Sequence, residues 1–269
     1  MMKGYTFLLQ KDYLKDDIVE YDIIKNILNK YPQLNYEYEE LTYHELNIAT
    51  FNSNIIYIPI GSISFVQRAM RLLYDSTFRE QPIEIPTYLQ TEEFLKRIYK
   101  IIEAKDIPRT GRWFLKNASR IKDLSICTNM DFFIQDEMFD YKPTSDFDTA
   151  TIIHTEDDYL ISQPLNIKAE YRAYIINGTL KNIAFYKGNA EYLPDIKLIK
   201  KAIDLINQNE EYLKSYTIDI MVGDFGTALI EIHNFSAIGL YTTIFEDELL
   251  TAYLQGIEYY MYDNSIKYK

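Results

Sequence analysis

The chain has 269 residues, 47% of them hydrophobic and 25% charged, and a net charge of −12. That length holds one large domain or two modest ones, in a composition ordinary for a globular protein. The acidic balance, without a basic tail or long Lys/Arg block, argues against nucleic acid as a partner. The single cysteine, Cys127, excludes internal disulfides and a zinc site built on several cysteines.

At the N-terminus, MMKGYTFLLQKD carries too short an apolar run for a signal peptide, and no stretch is long enough to span a bilayer. The expected location is cytoplasmic, with no membrane partner. A short strand is predicted over Tyr5–Leu9, then a helix with N-caps at Asp16 and Asp17 and apolar positions Ile18, Tyr21, Ile24, Ile27 and Leu28. Tyr36–Tyr43 reads as either helix or strand, with Glu39, Glu40 and Glu45 solvated. NIIYIPI, Asn54–Ile60, has the pattern of a buried parallel strand. Gly61-Ser62 then opens a helix through Phe65, Met70 and Leu73. This order predicts a small α/β unit. Its Gly-Ser turn is either a plain turn or an anion seat at a helix start.

Phe78–Thr87, with Pro82 and Pro86, reads as a linker. Glu92–Ala104 has helical spacing, with Phe94, Ile98, Ile101 and Ile102 inward. Arg112–Lys116 is predicted as a strand with Trp113 and Leu115 on one face, followed by a polar loop containing Lys122. Asp131–Met138 is a further strand candidate, and Lys142–Asp148 a mobile loop. Tyr159–Ile167 is a strand broken by Pro164, leaving backbone groups free to bind.

Asn177-Gly178 is the strongest two-residue hairpin signal in the chain. That loop pairs Arg172 with Ile183 and Lys187 with Lys168. It puts Glu170, Arg172 and Lys187 on one face, and Ala173, Ile175, Leu180 and Ala184 on the other. The cationic pair is either a solvated face or a phosphate clamp, Arg as a planar fork and Lys as a point charge. Leu193–Leu213 is a predicted helix with Pro194 in its first turn and Ile196, Ile199, Ala202 and Ile206 inward. A last hairpin joins Thr217–Val222 to Thr227–Asn234 through the three-residue loop Asp224-Phe225-Gly226, with Gly226 supplying positive φ. In that register Asp219 faces Glu231 and Thr217 faces His233. Ile218, Ile220, Val222, Ala228, Ile230 and Ile232 fall on a core face, and Met221 and Leu229 share the acidic face. Like charges directly opposite destabilise a sheet. Either both acids point into water or something offsets them, and Mg²⁺ held by carboxylates and phosphate oxygens would do so. Phe245–Tyr260 closes the chain as a helix.

In that order, FLKNASRIKD, EYRAYIING and IDIMVGDFGTALIEIHNFSAIGLY resemble a branch of the ATP-grasp superfamily common in phages and bacteria. That branch is named for its characteristic arginine and lysine residues. YIPIGSISFV resembles its pre-grasp domain, so the resemblance spans most of the chain. It implies an α/β + α+β architecture: an ATP-grasp fold with a small N-terminal α/β pre-grasp domain. The implied boundaries are 1–85 for the pre-grasp domain, 86–160 for the first ATP-grasp subdomain, and 161–269 for the second, which carries the phosphate and metal site.

The resemblance also implies site roles. Lys116 and Lys122 would contact ATP phosphates. Leu160–Leu165, with Ser162, Gln163, Pro164 and Leu165 at its centre, would read adenine through its backbone. Glu170 joins this nucleotide-binding set. Arg172 and Lys187 would lie over the transferred phosphate, and Asp219 and Glu231 would hold Mg²⁺. The family pattern has Asn two residues after the Glu; here His233 stands there and Asn234 follows. Asn234 would complete the metal set if the strand bulged at that point, while His233 would meet a substrate carboxylate or act as a base.

The implied activity is an ATP-dependent carboxylate–amine ligase working through an acyl-phosphate with ADP released. Its carboxylate and amine substrates would be small molecules, peptides or proteins. The alternatives are an ATP-grasp phosphotransferase and a non-catalytic nucleotide-binding module acting on a partner protein.

Overall fold

The computed structural model describes residues 4–12, 19–74, 78, 83–108, 112–118, 129–135, 138–141, 158–163, 165–235, 238–241 and 246–267, which form three sheets. The first sheet is parallel, with β1 (Gly4–Gln10), β2 (Glu37–Leu41) and β3 (Ile55–Ile60) in the order β2-β1-β3. The apolar runs of β1 and β3 follow from burial on both faces. α1 (Val19–Lys30) joins β1 to β2, α2 (Tyr43–Ile48) lies between β2 and β3, and α3 (Ile63–Leu73) follows β3. The expected caps Asp16 and Asp17 lie outside the described residues.

Two of the acids expected to be solvated have partners. Glu45 completes a capping box with Thr42 at the start of α2, and Glu40 accepts from Lys25 at 2.9 Å. The Gly61-Ser62 turn is closed by its own chain. The amide and hydroxyl of Ser62 both donate to Gln10 Oε1, at 2.8 and 2.9 Å, where an anion would have sat.

The second sheet is antiparallel. A single turn, α4 (Glu92–Leu95), precedes β4 (Tyr99–Glu103), and β5 (Arg112–Asn117), β6 (Asn129–Gln135), β7 (Met138–Tyr141) and β8 (Asp158–Ser162) complete it in the order β4-β8-β5-β6-β7. The helix predicted over Glu92–Ala104 is therefore corrected. Lys96 adopts the left-handed conformation, φ 54°, and ends α4. Beyond it the chain pairs with β8, leaving Ile98 and Ile101 exposed instead of inward. Strand pairing overrides the helical spacing of those residues.

The third sheet carries β9 (Ile167–Ile176), β10 (Thr179–Gly188), β11 (Tyr216–Gly223) and β12 (Gly226–Asn234) in the order β10-β9-β11-β12. α5 (Ile196–Asn209) crosses between the two hairpins, capped by Asp195, so it starts later than predicted and leaves Ile196 exposed. α6 (Glu246–Lys267) follows β12. One face of the sheet packs Ile175, Ile218, Ile220 and Ile232 on Ile199 and Ile206 of α5 and on Ile85 and Phe94. On the other face, Tyr174 and Ile176 share a core with Phe235, with Ile24 and Ile27 of α1, and with Leu249 and Tyr253 of α6. That core welds the first sheet to the third. Within the stretch expected as a linker, Ile83 N donates to Ile232 O at 2.7 Å, an antiparallel bridge onto the edge strand β12. Among the described residues no helix is long and apolar enough to cross a membrane.

Bulges set the registers. Asn177 and Gly178 turn the β9–β10 hairpin with φ of 51° and 66°. Two register shifts in β10 then place Arg172 opposite Ala184 and Lys187 opposite Glu170. The uninterrupted register had predicted Ile183 and Lys168 in those places. Ala184 accordingly joins the core shared with α1 and α6 instead of the Ile175 face.

The β11–β12 turn is one residue tighter than predicted, because Gly223 pairs with Gly226. A bulge at Ile230 restores the count, so Asp219 still opposes Glu231 and Thr217 still opposes His233. Leu229 and Ala228 exchange faces as a result. Leu229 pairs with Ile220 in the core, and Ala228 pairs with Met221. A bulge disrupts the ladder locally; here Arg97 Nη1 reaches Leu229 O at 2.8 Å and Leu95 O at 3.0 Å. Burial lowers the Arg97 pKa to about 10.

Arg97→Met keeps much of the packing and removes both donors. It should destabilise the protein by about 1–3 kcal/mol, the cost of unsatisfied buried acceptors. Urea unfolding measures this, and a change within about 0.5 kcal/mol, the range of ordinary surface substitutions, would mean that Arg97 does not support the bulge.

Candidate functional site

Side chains alternate along strands, so register across β9, β11 and β12 decides what meets on the face turned away from α5. Arg172 of β9 is opposite Asp219 of β11, and Asp219 is opposite Glu231 of β12. The three form one lateral row. Tyr174, Thr217 and His233 form the next row, and Glu170, Met221 and Ala228 the one before.

The centre of the row is a buried ion pair. Arg172 Nε donates to Asp219 Oδ1 at 2.7 Å and Nη2 donates to Oδ2 at 2.8 Å, a bidentate fork. Arg172 is 7% exposed and Asp219 is 4% exposed. Burial opposes the guanidinium charge, but the hydrogen bonds and charge of Asp219 outweigh it and hold Arg172 above its ordinary pKa. The guanidinium also lies over the rings of Tyr241 and Tyr186, 5.1 and 5.9 Å from their centroids. Those rings stack on each other at 5.0 Å. Arg172 Nη1 also donates to Gly239 O at 3.2 Å.

Arg172 therefore answers the repulsion between the opposed carboxylates by compensating one of them. Glu231 remains, with its Oε1 2.9 Å from His233 Nε2. Asp219, Glu231 and His233 each offer a ligand atom within 4.8 Å of the others. The donor set fits a divalent cation. Each carboxylate oxygen has two lone pairs, so the fork leaves Asp219 with donor capacity. The two acids supply the oxygen that Mg²⁺ prefers, whereas imidazole suits softer metals.

Asn234 is not brought to this group. The bulge falls at Ile230, not after His233, and Asn234 pairs with Tyr216 in regular register on the opposite, core-packed side. The condition for it to serve as a ligand is not met.

Lys187 sits one row away. Its ammonium is 3.1 Å from Glu170 Oε1, and its side chain is 71% exposed against 16% for Glu170. Tyr186 donates to the other Glu170 oxygen at 2.9 Å. Burial, then the Asp219 and Glu170 charges, push the Tyr186 phenol well above its usual pKa.

Ser162 ends β8, buried, with its hydroxyl 3.1 Å from Gln163 O; Gln163 is exposed and Leu165 half-buried, on the connection between the second and third sheets. Lys116 is placed on β5 opposite Leu160, but its side chain lies outside the described part of the chain, as do Lys122 and Pro164.

The sequence missed Tyr174, Tyr186, Gly239 and Glu20. Tyr174 Oη donates to Gly239 O at 2.9 Å and accepts from Tyr241 N at 2.9 Å. Glu20 Oε1 accepts from Leu240 N at 2.9 Å.

Residues 137–250 match the family model of an ATP-grasp domain, family 2 of the R-two-K clade. That segment contains all four strands of the third sheet, and over it the fold is that of an ATP-grasp domain. No curated protein matches the chain at a significant level. Among solved structures, N5-carboxyaminoimidazole synthetase from Staphylococcus aureus aligns at 11% identity and TM-score 0.47, over 94% of this chain and 77% of that one. A RimK domain ATP-grasp protein from Sphaerobacter thermophilus aligns at 10% identity and TM-score 0.46, over 96% and 99%. A RiPP-associated ATP-grasp ligase from Chryseobacterium gregarium, solved with ADP and a leader and core peptide, aligns at 11% identity and TM-score 0.40, over 98% and 97%.

Removing one partner of a buried pair strands the other charge, at about 3–5 kcal/mol. Asp219→Leu and Arg172→Met should each lose that much, while the double variant Arg172→Met/Asp219→Leu should recover most of it. A double-mutant cycle by urea unfolding checks this; single losses that add to within about 0.5 kcal/mol would show that the two residues are not coupled.

Proposed function

We propose that the protein is an ATP-dependent carboxylate–amine ligase with its phosphate and metal site on the Arg172–Asp219–Glu231 row. The observation that carries this reading is the row itself. A guanidinium and two carboxylates converge on one sheet face, inside the segment that matches the ATP-grasp domain.

In this reading Asp219 and Glu231 hold Mg²⁺ through carboxylate oxygens. When bound, the ion neutralises charge on the ATP phosphates. Arg172 and the more exposed Lys187 stabilise the phosphoryl group in transfer, since such catalysis is mostly positioning and electrostatics. Lys187 has most of its side chain in solvent, with its ammonium 3.1 Å from Glu170 Oε1. Arg172 is fixed by its fork and by Gly239 O, so it needs little reorganisation at the moment of reaction.

The γ-phosphoryl group passes from ATP to a substrate carboxylate oxygen, leaving ADP. An amine nitrogen then forms a bond to the acyl carbon as the C–O bond to phosphate breaks, and the amine proton leaves to solvent. Ser162–Leu165 serves as the adenine-reading hinge, with Glu170, Lys116 and Lys122 in the nucleotide set. His233, beside Glu231, orients the metal-binding carboxylate or meets the substrate carboxylate. The carboxylate and amine are those of small molecules, peptides or proteins.

The test is ADP release with panels of acids and amines, with hydroxylamine trapping to expose an acyl-phosphate. Asp219→Asn and Glu231→Gln should each lower turnover by about a hundredfold or more, the scale of losing a charge-stabilising group. Full activity in both variants would remove the metal assignment. A stable phosphorylated product without hydroxamate would mark a phosphotransferase instead.

A further inference from the structure

Glu20 belongs to α1, the helix of the first sheet, yet its carboxylate reaches the third sheet's site. Leu240 N donates to Glu20 Oε1 at 2.9 Å. Leu240 lies in a four-residue segment, 238–241, whose neighbouring polar groups serve the site. Gly239 O accepts from Arg172 Nη1 at 3.2 Å and from Tyr174 Oη at 2.9 Å. Tyr241 N donates to Tyr174 Oη, and the Tyr241 ring lies under the guanidinium. Ile238 and Leu240 are buried in the core that includes Ile24 and Ile27 of α1. The segment thus bonds to α1 through Leu240 and to Arg172 through Gly239, on the two sides of one peptide unit, and Tyr174 holds it on either side of Leu240. Burial raises the Glu20 pKa, against the Leu240 amide and the Arg172 charge, which lower it.

We infer that Glu20 is a positioning residue: it ties the 238–241 segment to α1, and through Gly239 O and Tyr241 it holds the Arg172 fork in register with Asp219. Any shift of α1 relative to the third sheet then reaches Arg172 through two hydrogen bonds on either side of one peptide unit. The contact couples the N-terminal unit to the phosphate-handling residue. The effect on turnover rests on the ligase reading above; the effect on Arg172 geometry does not.

The experiment uses the full chain with ¹⁵N-labelled arginine and follows the Arg172 Nε–H resonance, assigned by its loss in Arg172→Lys. Glu20→Gln keeps an oxygen acceptor of the same reach, and Glu20→Asp keeps the charge but shortens the reach. The resonance should stay in place in Glu20→Gln. In Glu20→Asp and Glu20→Ala it should shift, and its solvent exchange should rise about fivefold to tenfold, the worth of one hydrogen bond. Thermal unfolding of each variant verifies that it is folded.

In ADP-release assays kcat should fall about tenfold in Glu20→Asp, with KM for ATP nearly unchanged, and Glu20→Gln should restore it. Misplacing a positioned group costs rate on that scale or more. An Arg172 resonance unmoved in both Glu20→Asp and Glu20→Ala overturns the inference. A resonance that responds as expected, in a protein that releases no ADP with any acid and amine, upholds the positioning role and removes the ligase reading.

Discussion

The site depends on one bidentate contact, the fork of Arg172 on Asp219. Buried ion pairs contribute little net stability, because desolvation offsets attraction. What this pair supplies is register. It locks β9 to β11 at the row where Asp219 also meets Glu231. Slipping either strand by one residue would send an acid or the guanidinium into the Ile218–Ile220 core. Leaving a charge unpaired there costs more than the pair gains, so the fork works chiefly by excluding alternatives.

The same contact changes what the opposed carboxylates mean. Two acids across a hairpin call for a compensating charge, and a metal is one way to supply it. Arg172 is another, and it is built in. Asp219 keeps lone pairs beyond the fork, and Glu231 stands beside it in the same row. Aromatic rings flank this arrangement: Tyr186 and Tyr241 lie against the guanidinium, and Tyr174 braces the segment that carries Tyr241. The α1 carboxylate at Glu20 extends the brace to the first sheet.

Much of this was legible in the sequence, and the misses have physical causes. The Asn177-Gly178 and Gly226 turns announce both hairpins, because positive φ leaves few alternatives. Asp219 and Glu231 can be paired from the turn alone, although two departures cancel to give that answer. The turn is one residue shorter than its residues suggest, and the bulge at Ile230 adds the residue back. No residue type marks a bulge, so Leu229 and Ala228 were assigned to the wrong faces. The bulges of β10 likewise hid the Glu170 partner of Lys187. Pairing between the two hairpins leaves no local signature either, so the fork from Arg172 to Asp219 was invisible until the sheet was assembled. Glu92–Ala104 failed differently: its spacing is helical, but the edge of β8 offers a ladder that a short amphipathic helix cannot match.

The most direct test is a titration with Mn²⁺-ATP, reading paramagnetic broadening of ¹⁵N-histidine resonances. Of the chain's three histidines, His233 stands beside Glu231 and His44 lies on α2 of the first sheet. A metal–nucleotide complex held by Asp219 and Glu231 predicts selective broadening of His233 at low Mn²⁺-ATP, with His44 left sharp. Equal broadening of His44 and His233, or a sharp His233 at saturating Mn²⁺-ATP, would contradict the account.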